Sequence, residues 1–573
     1  MILQKLYLYY QRLNQNSESE IAPPGYSTEK IHFAIVINKK GEVVRVMDLR
    51  ETDGKKKYPK LLVVPQIFQK RTSGKKANFL WDNSKYVLGI DKEKSQDALE
   101  CFEIFKLYHA EMGKNCVDEG YKALLLFLEK WKPENIENLD YKEDIPGSNI
   151  VFKFEDDANI FLHERSALKQ LLMKIRSQNE TATVSQCLVS GEDQPIPNIH
   201  PSIKGVKGAQ SSGAAIVSFN IDSFNSYNKK QNFNAPIGET AAFSYTTALN
   251  HLLDRNSRQK IQIGDTTTVF WAERQSPIED FFGMALDPES TFGSDNKEVF
   301  DFLNAARDGK KIEKIDPEIG FYILGLAPNA SRIAVRFWYA STVGEIENAL
   351  GQHYSDMRID RNFPEKENEY PGIWRLLKET AVLGKSDNIN PNLSGAFVRS
   401  ILTGDYYPYE ILSETLERVH ADGDVNYYRA SLIKGYLSRK YRKRNLRLEV
   451  NMSLNTGLKD PGYLLGRLFA VIEKVQEEAN PGLNATIKDR YFSSASATPR
   501  AIFPQLIRLS QYHFAKLDSG RKTNMEKLVQ EIVDDVDTFP AHLDMEEQGM
   551  FVLGYYQQRK DLFTSKKENL KGE

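Results

Sequence analysis

The sequence predicts an α+β protein: a mixed N-terminal domain with β-hairpins and helices, followed by a C-terminal α-helical bundle. Three observations carry this. Short β-rich runs bounded by turn residues recur through the first part of the chain, the β signal disappears after about residue 370, and beyond it apolar residues repeat at helical spacing between prolines. At 573 residues the chain exceeds what one hydrophobic core usually holds, so two or three domains are expected.

Residues 1–13 form a Leu/Tyr-rich amphipathic stretch without a basic n-region or a small-residue cleavage site, which reads as a first helix and not as a signal peptide. Residues 32–38 and 42–48 are β-rich, and Lys39-Lys40-Gly41 between them signals a hairpin. The apolar run 61–64 is stopped by Pro65. Residues 98–109 and 120–130 read as helices, and 162–175 repeats apolar residues at helical spacing. Residues 184–189 and 214–219 read as strands flanking a long Gly/Pro/Ser-rich loop. A helix over 240–253 follows, then strands over 261–263, 267–272, 321–326 and 332–339.

Residues 374–383, 393–402, 409–419 and 427–439 then read as consecutive helices, with Pro408 suited to a helix start. Further on, Leu464, Leu465, Leu468, Ile472 and Val475 share one helical face, and Leu506, Leu509, Tyr512 and His513 continue the pattern, as do Met525, Leu528, Val529 and Ile532. Pro461, Pro481, Pro499, Pro504 and Pro540 are expected near helix ends. The expected division is 1–370 (α+β), 371–451 (helical, with a basic stripe) and 452–573 (helical bundle).

The composition, 41% hydrophobic and 27% charged, is that of an ordinary soluble protein, and no run of about 18 apolar residues exists to cross a membrane. Cys101, Cys116 and Cys187 form no CxxC pair, so neither a disulfide framework nor a zinc site is expected and a reducing cytoplasm is. The net charge of −2 says nothing about polyanions; only the distribution of charge can.

Three stretches are unusual. Residues 55–76 hold eight Lys/Arg and no acid. Lys70, Arg71 and Lys75 surround Thr72-Ser73-Gly74, a small flexible tip able to approach phosphates, and Asn78 carries an amide of the kind that reads base edges. The same pattern suits a solvated turn before the packed segment around Phe79 and Trp81.

Between Gln194 and Pro236 the only acid is Asp222, while Lys204, Lys207, Lys229 and Lys230 recur among amides and hydroxyls. Gly205, Gly208 and Gly213 permit close backbone approach around Gln210, Ser211 and Ser212. Loops of this length are uncommon unless functional. Residues 429–447 hold eight basic residues and no acid; in a helix, Arg439, Lys443 and Arg447 are spaced by four, with Arg442 beside them, as a rail for a phosphate backbone or a solvated helix end.

Catalytic patterns are missing. GxSxG fails because Gln210 stands where the nucleophile would, although His200 lies upstream as a formal base. The nine histidines form no HxH, HExxH or HD, and GxxxxGK[ST] is absent. No catalytic group, metal or cofactor is expected.

Six long motifs in order carry a resemblance: NFLWDNSKYVLG at 78–89, CLVSGE to GAQSSGAAIVSFN at 187–220, NAPIGETAAFSYTTALNHLL at 234–253, FYILGLAPNASRIAVRFW at 321–338, VNYYRASLIKGYL at 425–437 and LGRLFAVIEKVQEEANPGLNATIKDRYF at 465–492. The sequence resembles the large subunit of the type I-C CRISPR surveillance complex, Cascade, over nearly its whole length. That resemblance implies a cytoplasmic, non-enzymatic subunit of a crRNA-guided complex. It implies partners: crRNA, duplex and displaced single-stranded target DNA, backbone subunits, a crRNA-handle-binding subunit, a small subunit, and a helicase-nuclease recruited after target binding, with no membrane.

It further implies that Lys70, Arg71, Thr72, Ser73, Lys75 and Asn78 contact DNA at a short protospacer-adjacent motif. Lys204, Lys207, Gln210, Ser211 and Ser212 would form a loop that touches or wedges the duplex, and Arg439, Arg442, Lys443 and Arg447 would guide a displaced strand. The family also brings a small helical subunit that can be translated from within the large-subunit gene. Met452, which opens the last helical region after Glu449-Val450, is the expected start. The rival expectations are a nuclease and a scaffold touching only protein.

Overall fold

The computed structural model describes all residues except 17–20, 55, 67–73, 94–95, 178–182, 289–296, 311–314, 447–449 and 570–573. The chain forms two compact units, one of residues 1–257 with 328–334, the other of 258–327 with 335–573.

The first unit is built on a four-stranded sheet ordered Val43–Asp48, Phe33–Ile37, Asn149–Phe154, Trp81–Asn83. The hairpin expected at Lys39-Lys40-Gly41 is its first step. Asn38 Oδ1 accepts from the backbone N–H groups of Lys40 and Glu42 at 2.9 and 3.0 Å. Gly41 turns at φ +72, where a Cβ would lie 2.4 Å from the Phe127 backbone nitrogen, so the turn admits no other residue. Alternation then sorts the central strand. Phe33, Ile35 and Ile37 pack with Phe105, Tyr121, Leu124, Phe127 and Phe152, drawn from helices Gln96–Met112 and Glu119–Lys130 and from the neighbouring strand. Ala34 faces the opposite way, with Ile31, Val64, Trp81 and Val151. The strands Tyr26–Ile31 and Lys60–Pro65 pair antiparallel there, and Trp81 Nε1–H donates to the Pro65 carbonyl at 2.7 Å.

The N-terminal helix Ile2–Gln15 lies against helix Glu239–Leu252, where Tyr10 meets Phe243 edge-on at 5.6 Å. The strand expected over 214–219 is not one. Ala214 and Ala215 make single bridges, to Ile203 and to Arg332, and the ladder stops. The β-branched residues Ile216 and Val217 favour extended backbone, but a strand needs a continuous partner for its N–H and C=O groups.

The second unit begins with an antiparallel sheet ordered Lys260–Ile263, Thr266–Ala272, Gly320–Asn329, Arg332–Thr342. The tip of its last hairpin, 328–334, belongs to the first unit. After Thr342 the regular elements of the described residues are helices and 3-10 turns only, which bears out the α+β fold class. Helix Pro461–Ala479 is buried on nearly every side. Helix Met545–Asn569 lies along it with backbones in contact: a Cβ on Gly466 would sit 2.0 Å from the Phe551 carbonyl, and one on Gly554 would sit 2.1 Å from that of Tyr463.

Three sequence expectations change here. The helix expected over 374–383 stops at Lys378, and Leu383 sits at φ +58 in the turn that follows. Pro504 lies inside helix Pro499–Phe514 instead of at an end. It is the sixth residue of that helix, just past the first turn of unpartnered N–H groups, so its ring removes one hydrogen bond, to the Arg500 carbonyl. Helices Ile278–Leu286, Lys297–Arg307, Val343–Met357 and Met545–Asn569 were not foreseen.

Candidate nucleic-acid interface

Of the N-terminal basic group, Lys70, Arg71, Thr72 and Ser73 lie outside the described residues. Lys75 is described, and its charge is taken. Its ammonium lies 2.7 Å from Asp97 and is also held by Glu100, both at the start of helix Gln96–Met112, and these hydrogen bonds push its pKa above the usual lysine range. Lys57 is paired likewise, 3.0 Å from Asp48. The stretch has no acid of its own, yet acids from elsewhere in the fold meet it.

Asn78 is half-buried, and its backbone N–H donates to Asp82 Oδ2 at 2.9 Å. The residues after it are packed: Phe79 and Leu80 are fully buried, and the Leu80 N–H donates to His109 Nε2 at 3.0 Å. Burial holds His109 down at about 4, so at neutral pH its Nε2 is an acceptor, with the ring proton on Nδ1 facing the Phe105 carbonyl. Asn78 therefore stands at the edge of a packed aromatic core.

The glycine-rich loop is a built object. Ile203 and Ala214 exchange both backbone hydrogen bonds at 2.9 Å, pinching off residues 204–213. Ile203, Val206 and Ala214 are buried at its base, and helix Glu239–Leu252 braces it: Asn250 Oδ1 accepts from the Lys204 N–H at 2.8 Å, and Asn250 Nδ2 donates to the Ser202 carbonyl at 3.0 Å. Gly213 turns at φ +90, and a Cβ there would lie 2.7 Å from that of Ser202. The result is a stiff loop whose tip exposes Lys207, Gln210, Ser211 and Ser212. Lys204 is exposed as well, but its ammonium lies 3.0 Å from Glu29, so only part of its charge is available to an outside anion.

His200 is buried below this loop, with Nδ1 2.6 Å from the Tyr245 hydroxyl, and burial holds it down at about 4. Ser211 and Ser212 are exposed, so the formal serine–histidine pairing of the sequence is not assembled. No group of three or more His, Cys, Asp or Glu able to hold a metal ion occurs among the described residues.

The basic helix, Tyr427–Lys443, is a correction. Arg439 is fully buried; Nε–H donates to Asp356 at 3.0 Å, one Nη donates to the Ser400 carbonyl at 2.8 Å and to that of Asp405 at 3.2 Å, and the guanidinium lies 3.9 Å from the centre of the Tyr407 ring. It has no surface left for a phosphate. Arg442 shares Asp356 at 2.9 Å and Lys443 lies 3.3 Å from Asp405, both partly exposed. Arg447 lies outside the described residues. The compensating acids sit far away in sequence, which is why a local window counted none.

A family model described as CRISPR-associated protein (Cas_Csd1) matches residues 6–563. The chain belongs to this family. No curated protein matches it. In this Cas_Csd1 protein the described cations of the basic helix are largely paired, and the tip of the loop pinched at Ile203 and Ala214 exposes amide and hydroxyl side chains. Sequence inspection missed the acids that decide this, Glu29, Asp97 and Asp356. Their only sequence-level signal is that an uncompensated cation cluster in a folded chain must find counter-charge somewhere. No helix among the described residues is long and apolar enough to cross a membrane.

Proposed function

We propose that this Cas_Csd1 protein is the large subunit of a type I-C Cascade complex, a crRNA-guided DNA-binding protein without catalytic activity of its own. It reads a short protospacer-adjacent motif, aids strand separation during R-loop formation, and presents the target to a separate helicase-nuclease. Guide pairing supplies most of the sequence specificity and the protein reads only the motif and DNA shape, the logic stated for another CRISPR effector class. The observation that supports this best is the glycine-built loop, which holds Lys207, Gln210, Ser211 and Ser212 outward on a rigid base. Exposed amides and hydroxyls on a fixed backbone can meet base edges, and lysine can meet phosphates.

Duplex binding by the reconstituted complex tests the reading. A Lys70→Ala/Arg71→Ala/Asn78→Ala variant is expected to lose its preference for motif-bearing DNA and to show a shallower salt dependence, by about 0.9 in slope per phosphate contact removed. A Gln210→Ala/Ser211→Ala/Ser212→Ala variant is expected to impair duplex opening. An unchanged preference and slope in both variants would sink the site assignment, and metal-dependent cleavage by the isolated chain would sink the non-enzymatic role.

The C-terminal region 452–573 is proposed as a second product of the same gene, starting at Met452 and serving as a small subunit. In support, Met452 lies in the connection just before helix Pro461–Ala479, so all five helices that follow are kept whole. They share an aromatic core in which Phe492 meets Phe469 at 5.5 Å, Phe551 at 5.4 Å and Tyr555 at 5.0 Å. Expression of the native gene with a C-terminal tag is expected to give two bands, the smaller removed by a synonymous change in the codons for Glu449-Val450. A single band would exclude the internal product.

A further inference from the structure

Residues 221–234 carry a side chain that packing does not explain. The Lys229 N–H donates to the Ser226 carbonyl at 2.9 Å, and the two residues pair as an antiparallel bridge. Tyr227 and Asn228 are thus the two central residues of a tight turn, at φ +51 and +57. Two central residues of positive φ mark a type I′ turn, which asparagine and glycine enter readily and tyrosine does not, because its Cβ crowds the carbonyl. A third left-handed residue, Gln231 at φ +46, follows.

The loop is clamped in this form. Asn234 Oδ1 accepts from the Ser226 N–H at 2.8 Å, and its Nδ2 donates to the carbonyls of Lys229 at 3.0 Å and Gln231 at 2.9 Å. Buried Asn232 donates to the carbonyls of Pro197 and Ile237. On the other stem the Arg332 guanidinium lies 4.3 Å from the Phe224 ring centre. All of this holds Tyr227 out in solvent, 94% exposed. The strained backbone therefore gains the Tyr227 side chain almost no burial among the described residues.

The surroundings state which ligand fits. Lys229 and Lys230 follow directly and are exposed, and Asp222, the only acid of the segment, faces Asn225 at 3.3 Å. A protein partner drawn to a lone aromatic would gain from apolar residues beside it, and its immediate neighbours in the chain, 225–231, are Ser, Asn, Lys and Gln, with exposed Ile221 farther along the loop. A flat ring with cations beside it matches an unpaired base and its flanking phosphates. We propose that Tyr227 is a stacking platform for an unpaired nucleobase of single-stranded nucleic acid, with Lys229 and Lys230 on the adjoining phosphates. This deepens the nucleic-acid reading above and rests on it.

The test is titration of the full chain, and of the assembled complex, with a single-stranded oligonucleotide carrying 2-aminopurine, followed by anisotropy and by quenching. Tyr227→Ala is expected to weaken binding about 10-fold and abolish quenching, with the salt slope unchanged. Tyr227→Phe and Tyr227→Trp should retain both. Lys229→Ala/Lys230→Ala should lower the salt slope by about 1.4 while quenching at saturation persists. Asn234→Ala, which frees the turn and leaves the ring in place, should weaken binding as well.

Wild-type affinity and quenching in Tyr227→Ala would overturn the inference while the DNA-binding function stands. So would unchanged nucleic-acid binding combined with failed complex assembly, which would make Tyr227 a protein contact. Absence of nucleic-acid binding by the wild-type chain and complex would overturn the function itself, a failure seen before any variant is made.

Discussion

Arg439→Met is expected to destabilise the second unit by about 3–5 kcal/mol while leaving the DNA affinity of the folded protein and its salt slope unchanged. Methionine keeps most of the stem's volume, so the loss is polar. It leaves Asp356, itself 3% exposed, with Arg442 as its remaining guanidinium partner, and it strips a donor from the Ser400 and Asp405 carbonyls. Asp356 then faces its buried site with one guanidinium partner fewer, a loss that outweighs the regained side-chain entropy of a longer chain. A domain is typically stable by only ~5–15 kcal/mol, so the change is large. The double variant Arg439→Met/Asp356→Leu should recover part of the loss, because the under-compensated buried carboxylate is then gone and Arg442, partly exposed, can be solvated. Urea unfolding followed by circular dichroism reads the first effect and DNA titration the second. A stable variant with a shallower salt slope would restore Arg439 as a phosphate contact.

Gly466→Ala should be the costliest loss of a glycine in the helical part. Helix propensity alone favours alanine over glycine by about 1 kcal/mol. Against that, the new Cβ would meet the Phe551 carbonyl at 2.0 Å and the Tyr555 backbone nitrogen at 2.8 Å, and backbone cannot swing aside as a side-chain end can. The steric term wins, and a net cost of about 1–3 kcal/mol or more is expected, since helices Pro461–Ala479 and Met545–Asn569 must part for one methyl. Gly395, inside helix Pro391–Thr403, has nothing within 4 Å of its would-be Cβ, so Gly395→Ala should raise stability by about 0.4–1 kcal/mol. Equal effects at the two positions, read from urea midpoints, would show that the helix pair is not packed backbone to backbone.

What could be read from sequence was what is local. The hairpin at Lys39-Lys40-Gly41 and the helices around 98–109, 120–130, 240–253 and 427–439 follow from residue spacing and turn chemistry, and the structure holds an element at each. The failures are non-local. Residues 214–219 have strand-forming side chains, but whether a partner runs beside them depends on residues distant in sequence, and the bridges to Ile203 and Arg332 reach only Ala214 and Ala215. Helix Met545–Asn569 escaped notice because Gln557 and Gln558 are buried among its apolar residues, bonded to Tyr463 and Arg467, which erases the polar face that marks a surface helix. The glycines of the loop at 205–213 were legible, since backbone of that kind needs them. The fate of Arg439 was not, because Asp356 lies on another helix.

The hairpin Gly320–Asn329/Arg332–Thr342 has a consequence for how the molecule is made. A ribosome delivers the chain from its N-terminus, and domains fold as they emerge. The first unit has most of its residues by position 257, yet its remaining piece, 328–334, arrives only after three strands of the other unit's sheet have begun to be synthesised. Until then Ala215 lacks its bridge to Arg332, and Phe224 lacks the guanidinium that covers it. A gene fragment ending at 257 would release the first unit with that seam open, so its tidy boundary in space has no counterpart as a single cut in the message.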